Sequence, residues 1–201
     1  MKRIHRVDPL IVPFLDDANM VYAHKHLGES KMGLRGIVTC DHYRKGNLIH
    51  TQTGLNTFTT EGMARLLNII FGDQSKAGAA IFYVGIFHNN VTPAVTDIAA
   101  TALGAAGTYG ESQDADYTPN TSKPAYTIAA TSTASCTNAA AAATFTIVVA
   151  SVTIYGAFLS TVAAKTATNG YLFAAKKFGT ARAVITADVL AVTYVISCTT
   201  S

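Results

Sequence analysis

The sequence predicts a mainly β fold: an antiparallel β-sandwich or barrel, jelly-roll-like, with one short helix and an extended N-terminal arm. Three observations point there. From residue 79 onward the chain is a series of short runs rich in Val, Ile, Thr, Tyr and Phe, separated by Gly, Asn, Asp and Ser, which is how strands joined by turns read. One segment, NTFTTEGMARLLNIIFG, combines helical periodicity with a start and a stop signal. The uncharged stretch ATFTIVVASVTIYGAFLST, residues 143–161, approaches the ~20 apolar residues of a membrane span. Its β-branched and aromatic side chains nevertheless suit a pleated surface, and the immediate flanks, residues 139–143 and 161–164, carry no Lys or Arg to anchor a spanning helix. No membrane span is therefore expected.

In chain order, residues 1–33 are assigned to an extended arm and 34–201 to the sandwich domain. DPLIVPFLDDAN is Pro-bounded and apolar at Leu10, Ile11, Val12, Phe14 and Leu15. Such a segment suits an arm laid into another surface, and a first strand of the domain is the alternative. LRGIVTCDHYRKGNLIH reads as a hairpin, with Ile37–Cys40 as one strand, a turn at Arg44–Asn47 and Leu48–Thr51 returning. In the helix, Thr59 or Thr60 caps the start, Glu61 complements the dipole, Met63, Leu66, Leu67, Ile70 and Phe71 form the apolar stripe, and Gly72 is the stop.

Strands are then expected at 79–87, 126–132, 144–149, 152–159, 171–178, 181–186 and 189–198. Ala150 and Ser151 make the bend inside the uncharged stretch. Strict alternation puts Val152, Ile154, Gly156 and Phe158 on one face of the 152–159 strand and Thr153, Tyr155, Ala157 and Leu159 on the other. Both faces are apolar enough to touch protein, inside a sandwich or at an oligomer interface. Residues 89–124 form a long irregular connection.

Composition bounds the function. Charged residues make up 13% of the chain, about half the usual ~25%, so much of the surface is expected to be covered by copies of the chain or by a partner; a homo-oligomer, with a trimer favoured, is the expectation. All six histidines and ten of the fifteen Lys and Arg precede Asn89. That head is basic but interleaved with Asp8, Asp16, Asp17, Glu29 and Asp41, a weak footprint for nucleic acid and a better match to an acidic protein surface. Cys40, Cys136 and Cys198 lie far apart and form no disulfide framework, which suggests free thiols made in a reducing compartment. MKRIHRVDPL lacks the apolar core of a secretory signal.

Chemistry-bearing motifs are sparse. His24 with His26, and Cys40 with His42, are spaced i, i+2, which on a strand puts each pair on one face; two such pairs fall short of the compact four-ligand spacing of a zinc site. Glu111, Asp114 and Asp116 lack the ligand order of a calcium loop and read as a polar turn. None of the nucleophile-elbow, phosphate-loop, zincin or dinucleotide motifs occurs. The expectation is a protein that is not an enzyme, with no catalytic, metal or cofactor residue assigned.

The order GNLIH, LNTFTTEGMARLLNIIF, FYVGIF followed by NNVTPAVTDIAA, TFTI with YGAFLST, and GYLFAAKKF with ITADVLAVTYVIS resembles a group of small tailed-bacteriophage virion proteins. In that group a T-x-E-G helix is followed by a Y-V-G strand and an N-x-T-P loop, and the chain closes on two strands joined by an Ala/Gly-Asp turn. The resemblance covers about Gly46 to Ser201; the segment before Leu34 has no counterpart. Where the group commonly has Arg before a Pro-aromatic pair, this chain has Lys123 in SKPAY, so a carboxylate partner there would meet a point charge and not a bidentate fork. The resemblance implies a structural component of the virion, made in the host bacterial cytoplasm. It would decorate or cement the capsid against the major capsid protein, or belong to the tail, fibre or portal-associated apparatus and bind the host surface through the 89–124 connection.

Overall fold

A computed structural model describes residues 32–72, 82–113, 115–119, 122–128 and 133–200. The expected arm up to residue 31, with His24 and His26, lies outside the described residues, as do Asp114 and parts of the expected strands at 79–87 and 126–132. The chain divides into a unit of Leu34–Ser197 and a second unit of Met1–Gly33 with Cys198–Ser201. Among the described residues, the first unit contains the hydrophobic core and nearly all of the sheet structure.

Two antiparallel sheets face each other. The first carries, in spatial order, β2 (Asn47–Leu55), β1 (Met32–Arg44), β10 (Val189–Thr200), β7 (Ala143–Ile147) and β5 (Tyr117–Thr118), with β6 (Ser135–Thr137) also paired to β10. The second runs β3 (Thr57–Phe58), β9 (Leu172–Ile185), β8 (Ser151–Ser160) and β4 (Tyr83–Phe87). Val38, Phe145, Ile147, Leu190, Val192 and Tyr194 of the first sheet meet Val84, Ile86, Ile154, Leu159, Phe173 and Val184 of the second in one buried core. The mainly β, sandwich-like class read from the sequence is thus the observed one. Among the described residues no helix is long and apolar enough to cross a membrane.

The β1–β2 hairpin turns on Lys45 and Gly46, both at positive φ (51° and 78°), the two-residue turn whose twist matches that of the flanking strands. Within the uncharged stretch, residues 148–150 carry the chain from β7 in one sheet to β8 in the other. Beside this crossing, Thr186, Ala187 and Asp188 carry it back from β9 to β10. The corners bond to each other: Ile147 N–H donates to the Asp188 carbonyl and Ala187 N–H to the Ile147 carbonyl, each at 2.8 Å, and Thr186 Oγ1 donates to the Val149 carbonyl at 2.9 Å.

Several local expectations are corrected. The strands expected at 171–178 and 181–186 are one strand, β9, but its pairing with β8 jumps from Gly156↔Lys177 to Ile154↔Arg182. Phe178 to Ala181 therefore bulge out opposite Tyr155, and Gln52 of β2 holds the bulge by accepting from Thr180 N–H (3.1 Å) and donating to its carbonyl (3.0 Å). This irregularity breaks the alternation of β8: Ile154 joins Ala157 and Leu159 in the inter-sheet core, while Phe158 faces the opposite way. Residues 126–128 lie outside any strand, with Ala125 making an isolated bridge to Tyr83.

The second apolar face of β8 and β9 is covered by the chain itself. Phe87, Phe158, Leu172 and Ala175 pack against Ala99 and Ala102 of the short helix α2 (Ala99–Ala102), Leu103 and Tyr109. The 89–124 connection is thus in large part a third layer, and the need for a partner over this face disappears.

Candidate functional site

Helix α1 (Thr60–Phe71) is attached by its first turn. Thr59 accepts from Gly62 N–H at 3.0 Å, the N-cap bond expected of a Thr there, and its own N–H donates to the Phe173 carbonyl at 3.1 Å. Glu61 does more than complement the helix dipole: Oε2 accepts from Ala99 N–H (2.8 Å) and Leu172 N–H (2.7 Å). A Cβ on Gly62 would lie 2.4 Å from Phe173 Cα and 2.6 Å from its carbonyl oxygen, so only glycine allows this approach. Thr60 N–H reaches the Val95 carbonyl at 2.8 Å, and Asp97 Oδ2 accepts from Ala94 N–H and the Tyr109 hydroxyl, both at 2.8 Å. The T-x-E-G segment is therefore a joint between helix, β9 and the covering layer.

Docking through Gly62 rotates the helix away from the expected orientation. At 100° per residue, the face centred on Gly62 includes Arg65, Leu66 and Ile69, and Leu66 packs on the core. Leu67, Ile70 and Phe71 of the expected core stripe point outward, Phe71 with 79% of its surface exposed.

Among the described residues, two buried ionic constellations are held by side-chain ion pairs. In the first, Lys123 Nζ lies 2.9 Å from Glu111 Oε1, with side-chain exposures of 0% and 1%. Lys123 also donates to the Ala164 carbonyl at 2.6 Å, and Glu111 Oε2 accepts from Gly104 N–H at 3.1 Å. Burial pushes the Lys123 pKa down, and the neighbouring Glu111 carboxylate opposes that shift. Lys123 thus has a carboxylate partner held through a single charged nitrogen. The pair ties the covering layer, through Gly104 and Glu111, to the segment before Tyr126.

The second lies at the corner between β9 and β10. Asp188 accepts from Arg44 Nε (2.9 Å) and Nη2 (2.6 Å), from His42 Nε2 (3.0 Å) and from Ile185 N–H (3.0 Å). Arg44 foremost, then Ile185 N–H and His42, hold its carboxyl well below the usual range against the opposing effect of burial. Arg182 donates to His42 Nδ1 at 3.1 Å from Nη2. Guanidinium can only donate and carboxylate only accept, so the imidazole carries its proton on Nε2 and presents a lone pair on Nδ1. Burial lowers the His42 pKa despite Asp188. Both ring nitrogens are thereby occupied, and among the described residues no hydroxyl or thiol nucleophile bonds to the ring.

Cys40, the partner of His42 in the i, i+2 pair, is a core residue whose thiol is pushed up to about 12, mainly by burial and further by Asp41. Among the described residues no three His, Cys, Asp or Glu side chains approach closely enough to hold a metal ion. Glu111 is engaged by Lys123, and Asp116 caps its own turn by accepting from Gln113 N–H at 2.6 Å. A shallow groove lined by Gln52, Gly54, Lys176 and Phe178 has a volume of about 70 Å³, well below the ~300 Å³ at which small-molecule sites begin.

His42 and Lys123 were singled out by the sequence, one as half of a ligand pair and one as a departure from a family pattern. Asp188 and Arg182 become partners of His42 only through long-range topology, whereas Glu111, twelve residues before Lys123, stood in the sequence only as part of a polar turn. Comparison of the chain with protein-family models, curated proteins and solved structures yields no match.

Proposed function

We propose that the chain is a non-enzymatic structural component of a bacteriophage particle that decorates or cements the capsid through contacts between copies of itself. The observation that carries this reading is the use made of the motifs through which the sequence resembles small phage virion proteins. Thr59, Glu61 and Gly62 join helix to sheet, the loop after Thr92-Pro93 receives the helix N-terminus through Val95, and Ala187-Asp188 forms the corner between sheets. These residues build and brace the domain, and the buried pairs Lys123–Glu111 and His42–Asp188 are turned inward onto one another. The exposed apolar side chains Leu48, Ile49 and Leu55 on β2 and Leu67, Ile70 and Phe71 on α1 are of the kind that contact surfaces use. A receptor-binding role for the 89–124 connection draws less support, because Ala99, Ala102, Leu103, Tyr109 and Glu111 are buried.

Quantitative mass spectrometry of purified particles tests the reading. Hundreds of copies per particle are expected. A dozen or fewer would place the protein in the tail apparatus, and its absence from particles would overturn the proposal.

A further inference from the structure

We infer that β2 is a self-pairing edge: two copies of the chain join their β2 strands antiparallel about a two-fold axis at Gln52, making one continuous sheet. The inference goes beyond the virion reading and holds whether or not the protein sits on a particle.

An edge strand presents a row of backbone donors and acceptors, and proteins that must avoid pairing place Lys, Glu or Pro there. β2, the nine residues NLIHTQTGL, contains no Asp, Glu, Lys, Arg or Pro, and among the described residues no strand pairs with its outer side. Its odd-numbered residues Ile49, Thr51, Thr53 and Leu55 are exposed, while His50, Gln52 and Gly54 are half-buried. From Ile49 to Leu55 the strand therefore has one open face and one face held by the domain, with Gln52 fixed on Thr180, while Leu48 beside the turn is exposed.

The register follows from side-chain type. A two-fold axis normal to the sheet keeps faces together, so the paired residues have the same parity. Centred on Gln52, Ile49 lies opposite the second copy's Leu55, and Thr51 opposite its Thr53. Centred one residue either way, Ile49 would face Thr53, or Leu55 would face Thr51. Each copy already has half of the resulting rows: Thr51 donates to Asp41 at 2.7 Å and Thr39 bonds Thr53 at 2.9 Å, and Ile37 is the cross-strand neighbour of Leu55. Pairing at Gln52 extends these into two rows across the four strands β1-β2-β2-β1, each reading Asp41, Thr51, Thr53 and Thr39, with Ile37, Leu55 and Ile49 flanking them at each end. The match of apolar with apolar and hydroxyl with hydroxyl is specific to a second copy of this strand.

Light scattering of the full chain at micromolar concentration, with two charge variants, tests the pairing. The parent is expected at twice the 21.1 kDa chain mass. Thr51→Lys with Thr53→Lys sets lysines opposite lysines and should give a monomer; Thr51→Lys with Thr53→Glu sets Lys opposite Glu and should restore the dimer. Both positions are exposed, so each variant is expected to melt cooperatively like the parent, which circular dichroism checks. A monomeric or trimeric parent, a double-lysine variant that still dimerises, or a folded Lys/Glu variant that stays monomeric would each overturn the proposed pairing.

Discussion

Replacing Lys123 by Met tests how the covering layer is held. Methionine keeps most of the side-chain volume, so the cavity contribution is small, but it leaves the Glu111 carboxylate, 1% exposed, with Gly104 N–H and without its counter-charge. The Ala164 carbonyl also loses its 2.6 Å donor. Breaking a buried pair from one side costs about 3–5 kcal/mol, a large part of the ~5–15 kcal/mol that keeps a domain folded. At roughly 2–4 °C per kcal/mol for a chain of this size, the melting temperature should fall by roughly 6–20 °C. Urea unfolding followed by circular dichroism at neutral pH measures the loss. Adding Glu111→Gln removes the stranded charge while keeping an acceptor for Gly104 N–H, and the double variant should recover most of the stability. A Lys123→Met loss below about 1 kcal/mol, the range of solvated surface pairs, would refute this account. So would a double variant no more stable than Lys123→Met, since the stranded charge would then not be the cause.

Because folding lowers the His42 pKa below its unfolded value of ~6.5, the unfolded chain binds the extra proton first as pH drops. Stability should therefore decline below about pH 6.5 and level off once the folded imidazole titrates; urea midpoints across pH should show this slope, and His42→Gln should flatten it. Asp188 acts at lower pH, its contribution being present above about 3.8 and lost as pH falls through the depressed folded value. Ala187 sits at φ 71°, where a Cβ is strained and Gly is not, so Ala187→Gly should raise stability by up to about 1 kcal/mol net of the extra unfolded-state entropy, read as a higher melting temperature. Gly62→Ala should lower stability by about 1–3 kcal/mol or more, with faster hydrogen exchange concentrated in α1 and at Leu172 N–H.

The local periodic features were legible in the sequence. The helix start at Thr59, the turn at Lys45-Gly46 and the broken strand pair around residue 150 rest on interactions within a few residues, which propensity and spacing report directly. The buried side of α1 was not legible from hydrophobicity, because the closest approach to β9 is set by the residue with no side chain. The faces of β8 depart from simple alternation beyond Ile154 because the irregularity lies in its partner, where Phe178–Ala181 fall out of register. The third layer looked like a loop because Ala99, Ala102 and Leu103 carry too little local pattern to signal burial. At the candidate sites, Lys123 stood out as a departure from a family pattern, whereas the meeting of His42 with Asp188 and Arg182 spans 140 residues or more and has no local signature.

The place of β10 has a consequence for how the molecule assembles. It follows the other described strands in the chain, yet it lies between β1 and β7, so the first sheet stays in two pieces until residues 189–200 arrive. Until then β1 and β7 each present an open edge, and the core lacks Leu190, Val192 and Tyr194. Contacts of such long sequence separation place folding toward the millisecond-to-second range of β-rich topologies. During synthesis the hairpin β1–β2 must wait for nearly the whole domain to emerge, with its apolar face uncovered. Chaperone demand and loss to aggregation should accordingly concentrate in the interval before the final strand inserts.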